Sequence, residues 1–211
     1  MSHLITLEGL EGSGKSTQLR LLQEHLTRRG VRVLATREPG GTRIGEQVRT
    51  VLHDVGNTAM RPETEVLLYS AARAQLVAEV LRPALAAGIV VLCDRYVEST
   101  YAYQGYGRGL DLRALRQISL FATDGLQSDL VIYLDLPIEV GLERKRLAYE
   151  REQGELTRMD KQDVAFYERV RAGYLTMAAQ EPERWCILDA QQPVEALQEQ
   201  IRQRVEALLR I

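Results

Sequence analysis

The residues with the clearest chemistry lie near the start of the chain, in the stretch GLEGSGKST, Gly9 to Thr17. Gly9-x4-Gly14-Lys15-Ser16 has the spacing of the Walker A phosphate loop. Its glycines let successive backbone N–H groups turn toward one point, and the start of the following helix adds partial positive charge. In that arrangement Gly9, Leu10, Glu11, Gly12, Ser13, Gly14, Lys15, Ser16 and Thr17 surround the phosphates of a nucleoside triphosphate. Lys15 reaches the β and γ phosphates, and the Ser16 hydroxyl holds Mg2+. The loop alone fits a kinase, a switch or a motor. Glu11 is its anomaly, an acid inside a structure that holds anions. A second signal is VVLCDRY, an apolar run that ends in Asp94-Arg95. Asp94 there either binds Mg2+ beside the loop or forms a surface ion pair. Arg95 suits a kinase, which must hold a second, anionic substrate against the γ-phosphate. Arg37, Arg49, Arg73 and Arg95 recur at expected strand ends and helix starts. Singly they read as surface residues; together they could grip a monophosphate in bidentate fashion. The run Glu143 to Asp163 carries Arg144, Lys145, Arg146, Arg151 and Arg158. Read by itself it is either a solvated helix pair or a mobile basic lid. Such a lid would stabilise the charge of a transferred phosphoryl group and exclude water.

Positioning these groups requires a parallel sheet. LITLEG, VRVLAT, GIVVLCD, DLVIYLDLP and WCILDA read as five buried strands. Helical pieces lie between them: Lys15 to Arg29 with Leu19, Leu22 and Leu26 on one face, Pro62 to Ala87, and Pro137 to about Tyr149. The last segment carries an apolar stripe at Val194, Leu197, Ile201, Val205 and Leu208. Strands alternating with helices predict an α/β fold whose ligands bind beyond the C-terminal strand ends. With 211 residues, residues 1–211 are expected to form one domain, with the lid at about 143–160. A net charge of −2 gives no electrostatic case for nucleic acid or membrane partners. The N-terminal apolar stretch is too short for a signal-peptide core and lacks a basic leader, and no run approaches membrane-spanning length. Cys93 and Cys186 lie far apart beside apolar runs, reading as buried reduced thiols rather than a disulfide or metal pair. A cytoplasmic protein is expected.

The segments GLEGSGKST, TREPGGTRIGEQVR, LLYSAARAQ, CDRYVESTYAYQG and GELTRMDKQDVAFYERV together resemble the thymidylate kinase (dTMP kinase) family. The resemblance runs from Leu4 to the final helix. REPGG with DRY and the later YQG is far more specific than the phosphate loop. It implies a P-loop kinase fold, a five-stranded parallel sheet flanked by helices with a mobile lid. It also implies phosphorylation of dTMP to dTDP with ATP and Mg2+, and a homodimer. By position, Lys15 and Ser16 would serve the ATP phosphates and Mg2+, with Asp94 as the second metal group. Arg95 would bridge the acceptor phosphate and the transferred group, and Arg49 would bind the dTMP phosphate. Arg73 would hydrogen-bond the base edge, Tyr69 would stack on thymine, and Thr100 and Gln104 would face the ring edge. Tyr103 would lie near the sugar and crowd a 2′-hydroxyl. Glu11 would accept a hydrogen bond from the sugar 3′-hydroxyl. Some members carry an arginine directly after this acid; here Gly12 stands there, and the basic lid would supply the charge. Arg158 matches a lid arginine and would act in catalysis. Arg144 would bind ATP, and the adenine pocket would involve the lid arginine side and the loop Asp189 to Pro193.

Rival readings are weaker on particular residues. A deoxynucleoside kinase would have less use for Arg49 and Arg73 as well as Arg95. An adenylate kinase loop normally lacks the acid. A P-loop GTPase switch needs an Asn-Lys-x-Asp element that the sequence does not contain, and a P-loop ATPase is the remaining distant alternative. A scaffold without catalysis would not need Lys15, Ser16, Asp94 and Arg95 together.

Overall fold

The computed structural model describes residues 2–151 and 157–211. Five parallel strands form its centre: β1 (Leu4–Gly9), β2 (Val33–Arg37), β3 (Val90–Asp94), β4 (Leu130–Asp135) and β5 (Trp185–Asp189), in the spatial order β2-β3-β1-β4-β5. The chain therefore leaves β1 for the β2 edge and later crosses to the other side. The reversal puts the ends of β1 and β3 side by side, with Leu7 in register with Asp94. The second strand begins at Val33, two residues later than its apolar run, because the backbone at Gly30 and Val31 closes the preceding helix.

Strand alternation sorts the core into two layers. Ile5, Leu7, Leu92, Ile132 and Leu134 face α1 (Lys15–Arg28) and α9 (Val194–Leu209), meeting Leu19, Leu22, Leu26, Leu197, Ile201 and Val205. Of the stripe expected in the last helix, Val194 is exposed and Leu208 only partly buried. Leu4, Val91, Val131 and Tyr133 face the other layer. That layer holds α3 (Pro62–Leu76), a π-helical turn Val77–Leu81 that leads into α4 (Arg82–Ala86), and α8 (Val164–Gln180). Cys93 is buried and Cys186 half-buried, and both are free thiols.

Helices unassigned from the sequence complete the frame. In α2 (Arg43–His53) the Thr42 side chain accepts from Gly45 N, and in α8 the Asp163 side chain accepts from Phe166 N. A short α5 (Val97–Thr100) runs into a π-helical segment Tyr101–Gly107, and α6 (Leu112–Thr123) follows. The segment expected as a lid divides. Its first part belongs to α7 (Ile138–Glu150), a continuous helix, and Arg158–Lys161 forms a 3-10 turn. The portion at 152–156, including Gly154, lies outside the described residues.

Candidate active site

The phosphate loop turns on left-handed glycines: Gly12 has φ 75° and Gly14 φ 90°. Gly14 caps α1 without a side-chain bond, so the N–H groups of the first turn stay available to an anion. Lys15 is nearly buried, and its Nζ donates to the carbonyls of Gly9 (3.1 Å) and Leu10 (2.9 Å). Burial, then the Arg95 charge, pushes Lys15 down to about 8. The Ser16 hydroxyl donates to Asp94 Oδ2 at 2.8 Å, which joins the two expected metal groups across β1 and β3. Two hard oxygen donors beside a phosphate site are the set Mg2+ uses when substrate and water complete its shell.

Gly12 packs against α7 with no room to spare. A Cβ there would come within 2.5 Å of the Gly141 carbonyl, and one on Gly141 would meet the Glu11 carbonyl at 2.7 Å. No larger residue, arginine included, fits at Gly12 without moving the helix. The same close approach brings basic residues of α7 to the loop. Arg144 Nη1 bonds the carbonyls of Gly12 (3.4 Å) and Ala190 (3.1 Å), linking the loop to the segment after β5. Lys145 pairs with Asp160 of the 3-10 turn. Arg146 is taken up by Glu143 and Glu150 on the exposed face, and Arg151 ends the helix, exposed.

Arg95 adopts φ 70°, a left-handed conformation unusual for its residue type. Bonds on both sides hold it: its own N–H donates to the Leu7 carbonyl, and the N–H of Tyr96 donates to Glu8 Oε1 at 2.8 Å. The turn aims the guanidinium at Ser99 (3.2 Å), Glu11 (2.9 Å) and the Tyr103 hydroxyl (3.2 Å). Tyr103 also donates to Glu11 Oε2 at 2.8 Å. Burial opposes ionisation of Glu11, but Arg95, Lys15 and Lys145 outweigh it and hold the carboxyl below the ordinary value. Glu8 lies under this cluster, fully buried. It accepts from Ser99 and Tyr174 at 2.6 and 2.7 Å, and burial pushes it up to about 7.

These groups open on one cavity of about 500 Å³. From the phosphate side it is lined by Glu11, Gly12, Lys15, Ser16, Asp94, Arg95 and Arg144, and from the other side by Arg49, Tyr69, Arg73, Thr100, Tyr103 and Gln104. Of the sequence-derived site residues, Gly9, Leu10, Ser13, Gly14 and Thr17 build the loop without lining the cavity. Arg158 does not line it either. It is buried and paired with Glu65, with a bond to the Leu52 carbonyl at 3.4 Å. Arg73 is buried on Glu38, Thr100 and the Tyr96 carbonyl. Arg49 donates to the Pro39 carbonyl at 3.1 Å. The Tyr69 hydroxyl, expected to need a partner, finds none among the described residues. Sequence reasoning missed His53, Ser99, Thr157 and Met159, which also line the cavity, and named Lys145 only as one of the basic run. His53 ends α2; burial, then Arg49 and Lys145, push it down to about 4, so its ring is neutral. For Lys145 the signal was present, since it sits in the basic run, but only packing reveals which face of α7 turns inward.

Comparison with known proteins gives one consistent result. The profile of a family described as thymidylate kinase matches residues 7–201. A thymidylate kinase of Roseiflexus castenholzii is 54% identical over 217 residues, covering 99% of this chain and 95% of the relative. One of Pseudomonas fluorescens is 50% identical, covering 97% and 93%. The crystal structure of thymidylate kinase from Ehrlichia chaffeensis superposes with a TM-score of 0.77 at 30% identity, covering 97% of this chain and 98% of that one.

Proposed function

This chain belongs to the thymidylate kinase family, and on that premise we propose that it transfers the γ-phosphoryl group of ATP to dTMP, giving dTDP and ADP. The observation that carries the reading is the single cavity joining the phosphate loop to Arg49, Tyr69, Arg73, Thr100, Tyr103 and Gln104. Lys15 and the N-terminal turn of α1 bind the ATP phosphates. Ser16 and Asp94 would hold Mg2+, which neutralises phosphate charge when bound. Arg95 lies between Glu11 and Ser99, which supports a role for it in touching both the acceptor phosphate and the transferred one. The acceptor oxygen attacks the γ-phosphorus, the bond to the bridging β,γ-oxygen breaks, and ADP leaves. Arg49 binds the acceptor phosphate, Tyr69 stacks on the base, and Arg73, Thr100 and Gln104 meet its edge. Glu11 is ionised and faces a neutral sugar hydroxyl more favourably than a phosphate. Lys145 and Arg144 supply positive charge from α7; Arg158 joins them once it leaves Glu65.

ADP release measured with ATP, Mg2+ and each nucleoside monophosphate in turn should give dTMP as best acceptor, dUMP weaker and AMP near zero. Turnover of thymidine but not dTMP would refute the reading. A homodimer is supported by an exposed apolar surface on three helices packed in succession: Ile44 and Val51 of α2, Leu67 of α3, and Leu120 and Phe121 of α6, with Phe121 91% exposed. Sedimentation of Phe121→Glu as a monomer is the expected result. The free thiols fit a reducing compartment such as the cytoplasm. Among the described residues, no helix is long and apolar enough to cross a membrane.

A further inference from the structure

Glu65 of α3 is 1% exposed, yet four hydrogen bonds converge on it from three side chains. Arg108 grips it with two bonds of 3.0 Å, Arg158 pairs with Oε2, and Gln104 Nε2 donates to Oε1 at 2.7 Å. Hydrogen bonds from Arg108 and Gln104 and the nearby arginine charges outweigh burial and keep this carboxyl below the ordinary value. An ionised carboxylate only accepts hydrogen bonds. The Gln104 amide must therefore turn its NH2 toward Glu65. Its oxygen is left for the cavity that Gln104 lines, and no described residue donates to that oxygen.

Thr100 is constrained in a complementary way. Arg73 is buried against Glu38 at 2.7 Å and donates from Nη1 to Thr100 Oγ1 at 2.9 Å. A guanidinium only donates, so the threonine oxygen accepts and its own proton is free to be given to a ligand. Two buried glutamates thus set a polarity on the base-facing wall, with a donor at Thr100 and an acceptor at Gln104.

We propose that Glu65 is a specificity-determining positioning residue: by orienting the Gln104 amide it makes the site accept a pyrimidine with N3–H and a 4-oxo group and reject one with a bare N3 and a 4-amino group. This rests on the reading that Thr100 and Gln104 face the base. Thymine and uracil present N3–H beside an oxo group, matching the acceptor and the donor. Cytosine presents the reverse pattern and leaves buried polar groups of the wall unmatched. Thymine and uracil differ only by a methyl group, so Glu65 has no part in telling them apart.

The test compares kcat/KM for dTMP, dUMP and dCMP in the wild type and in Glu65→Gln, Glu65→Asp and Gln104→Leu. A glutamine at 65 can donate as well as accept, which frees the Gln104 amide to turn over. The dTMP:dCMP ratio should then fall by about ten- to a hundredfold, while the dTMP:dUMP ratio stays within about threefold. Glu65→Asp should keep the dTMP:dCMP ratio, and Gln104→Leu should lower it. If Glu65→Gln slows all three substrates in parallel, Glu65 is only structural and the proposal fails. If Gln104→Leu leaves the dTMP:dCMP ratio at the wild-type value, Gln104 does not read the base and the proposal fails at its premise. Should Glu65→Gln not fold, the pair Glu65→Gln with Arg158→Gln keeps the net charge of the cluster, and the same ratios decide. A wild-type protein that does not use dTMP would overturn the proposed function instead, so the two failures are separable.

Discussion

Arg95→Lys keeps a positive charge at the end of β3 and removes the guanidinium fork. An arginine carries five N–H donors. Three are committed, to Ser99, Glu11 and Tyr103, so two remain for phosphoryl oxygens. A lysine has three donors in all, and the same three partners would consume them. The substitution therefore costs two charged hydrogen bonds to the reacting phosphates, each worth about 1.5–3 kcal/mol. Together that is about 3–6 kcal/mol, or about 10²–10⁴-fold in turnover at saturating ATP and dTMP. ADP release from ATP and dTMP is the assay, with thermal melting as the control for folding. Glu11 keeps a cationic partner, so the melting temperature should stay within a few degrees of the wild type. Arg95→Ala should lose similar turnover but melt earlier, because among the described residues Glu11 then retains only Tyr103 as a direct hydrogen-bond partner. An Arg95→Lys enzyme with a tenth or more of wild-type turnover would refute the donor count.

Gly12→Ala should destabilise by about 2 kcal/mol or more in urea unfolding, since it adds a left-handed penalty to the clash with the Gly141 carbonyl; an unchanged midpoint would contradict the tight packing of α7. Glu8 is the pH-sensitive core group. Between about 4.5 and about 7 the unfolded chain releases its proton while the folded protein keeps it, so wild-type stability should fall as pH rises through that window and level off above it. Relative to Glu8→Gln, which does not titrate, the loss should be about 3 kcal/mol between pH 4.5 and 8, and parallel stability profiles would refute it. In the free protein Lys15 gives up its proton near 8, so ATP should bind about fivefold more weakly at pH 9 than at pH 8, as read by calorimetry; a flat affinity across that range would show Lys15 still charged. Tyr69→Phe should leave kcat/KM for dTMP within about threefold, and Tyr69→Ala should lower it by about tenfold or more through lost stacking; a large loss with phenylalanine would reveal a role for the hydroxyl.

The phosphate loop and the strand order's chemical consequence were legible because both rest on local signals. Gly9, Gly14, Lys15 and Ser16 lie within eight positions of each other, and apolar runs ending in Asp94 or Asp189 mark strand ends directly. Even the absence of an arginine at Gly12 was readable, though its cause was not: the Gly141 backbone that forbids a side chain there lies in a helix far along the sequence. The basic run from Glu143 to Asp163 was half legible. Its charge is obvious from composition, but only helix packing separates Arg144 and Lys145, which turn toward the loop, from Arg146, which stays in solvent. Arg158 illustrates the same limit, since nothing local indicates that it is buried on a carboxylate 93 positions earlier. Glu65 itself sits in PETE, an unremarkable helix start by sequence, and acquires meaning only from the three side chains that fold brings to it.

The left-handed backbone at Arg95 bears on how such a protein can be improved. At φ 70° glycine is the residue the chain prefers, by about 1 kcal/mol or more over any residue with a Cβ. Arginine stays because the turn aims it. Glycine would relieve that strain but would leave the half-buried Glu11 without its guanidinium, so a library selected for robustness to heat gains nothing here, and one selected for turnover loses its arginine. Position 95 is where a strained backbone and a useful side chain belong to one residue, and stabilising designs should leave it alone.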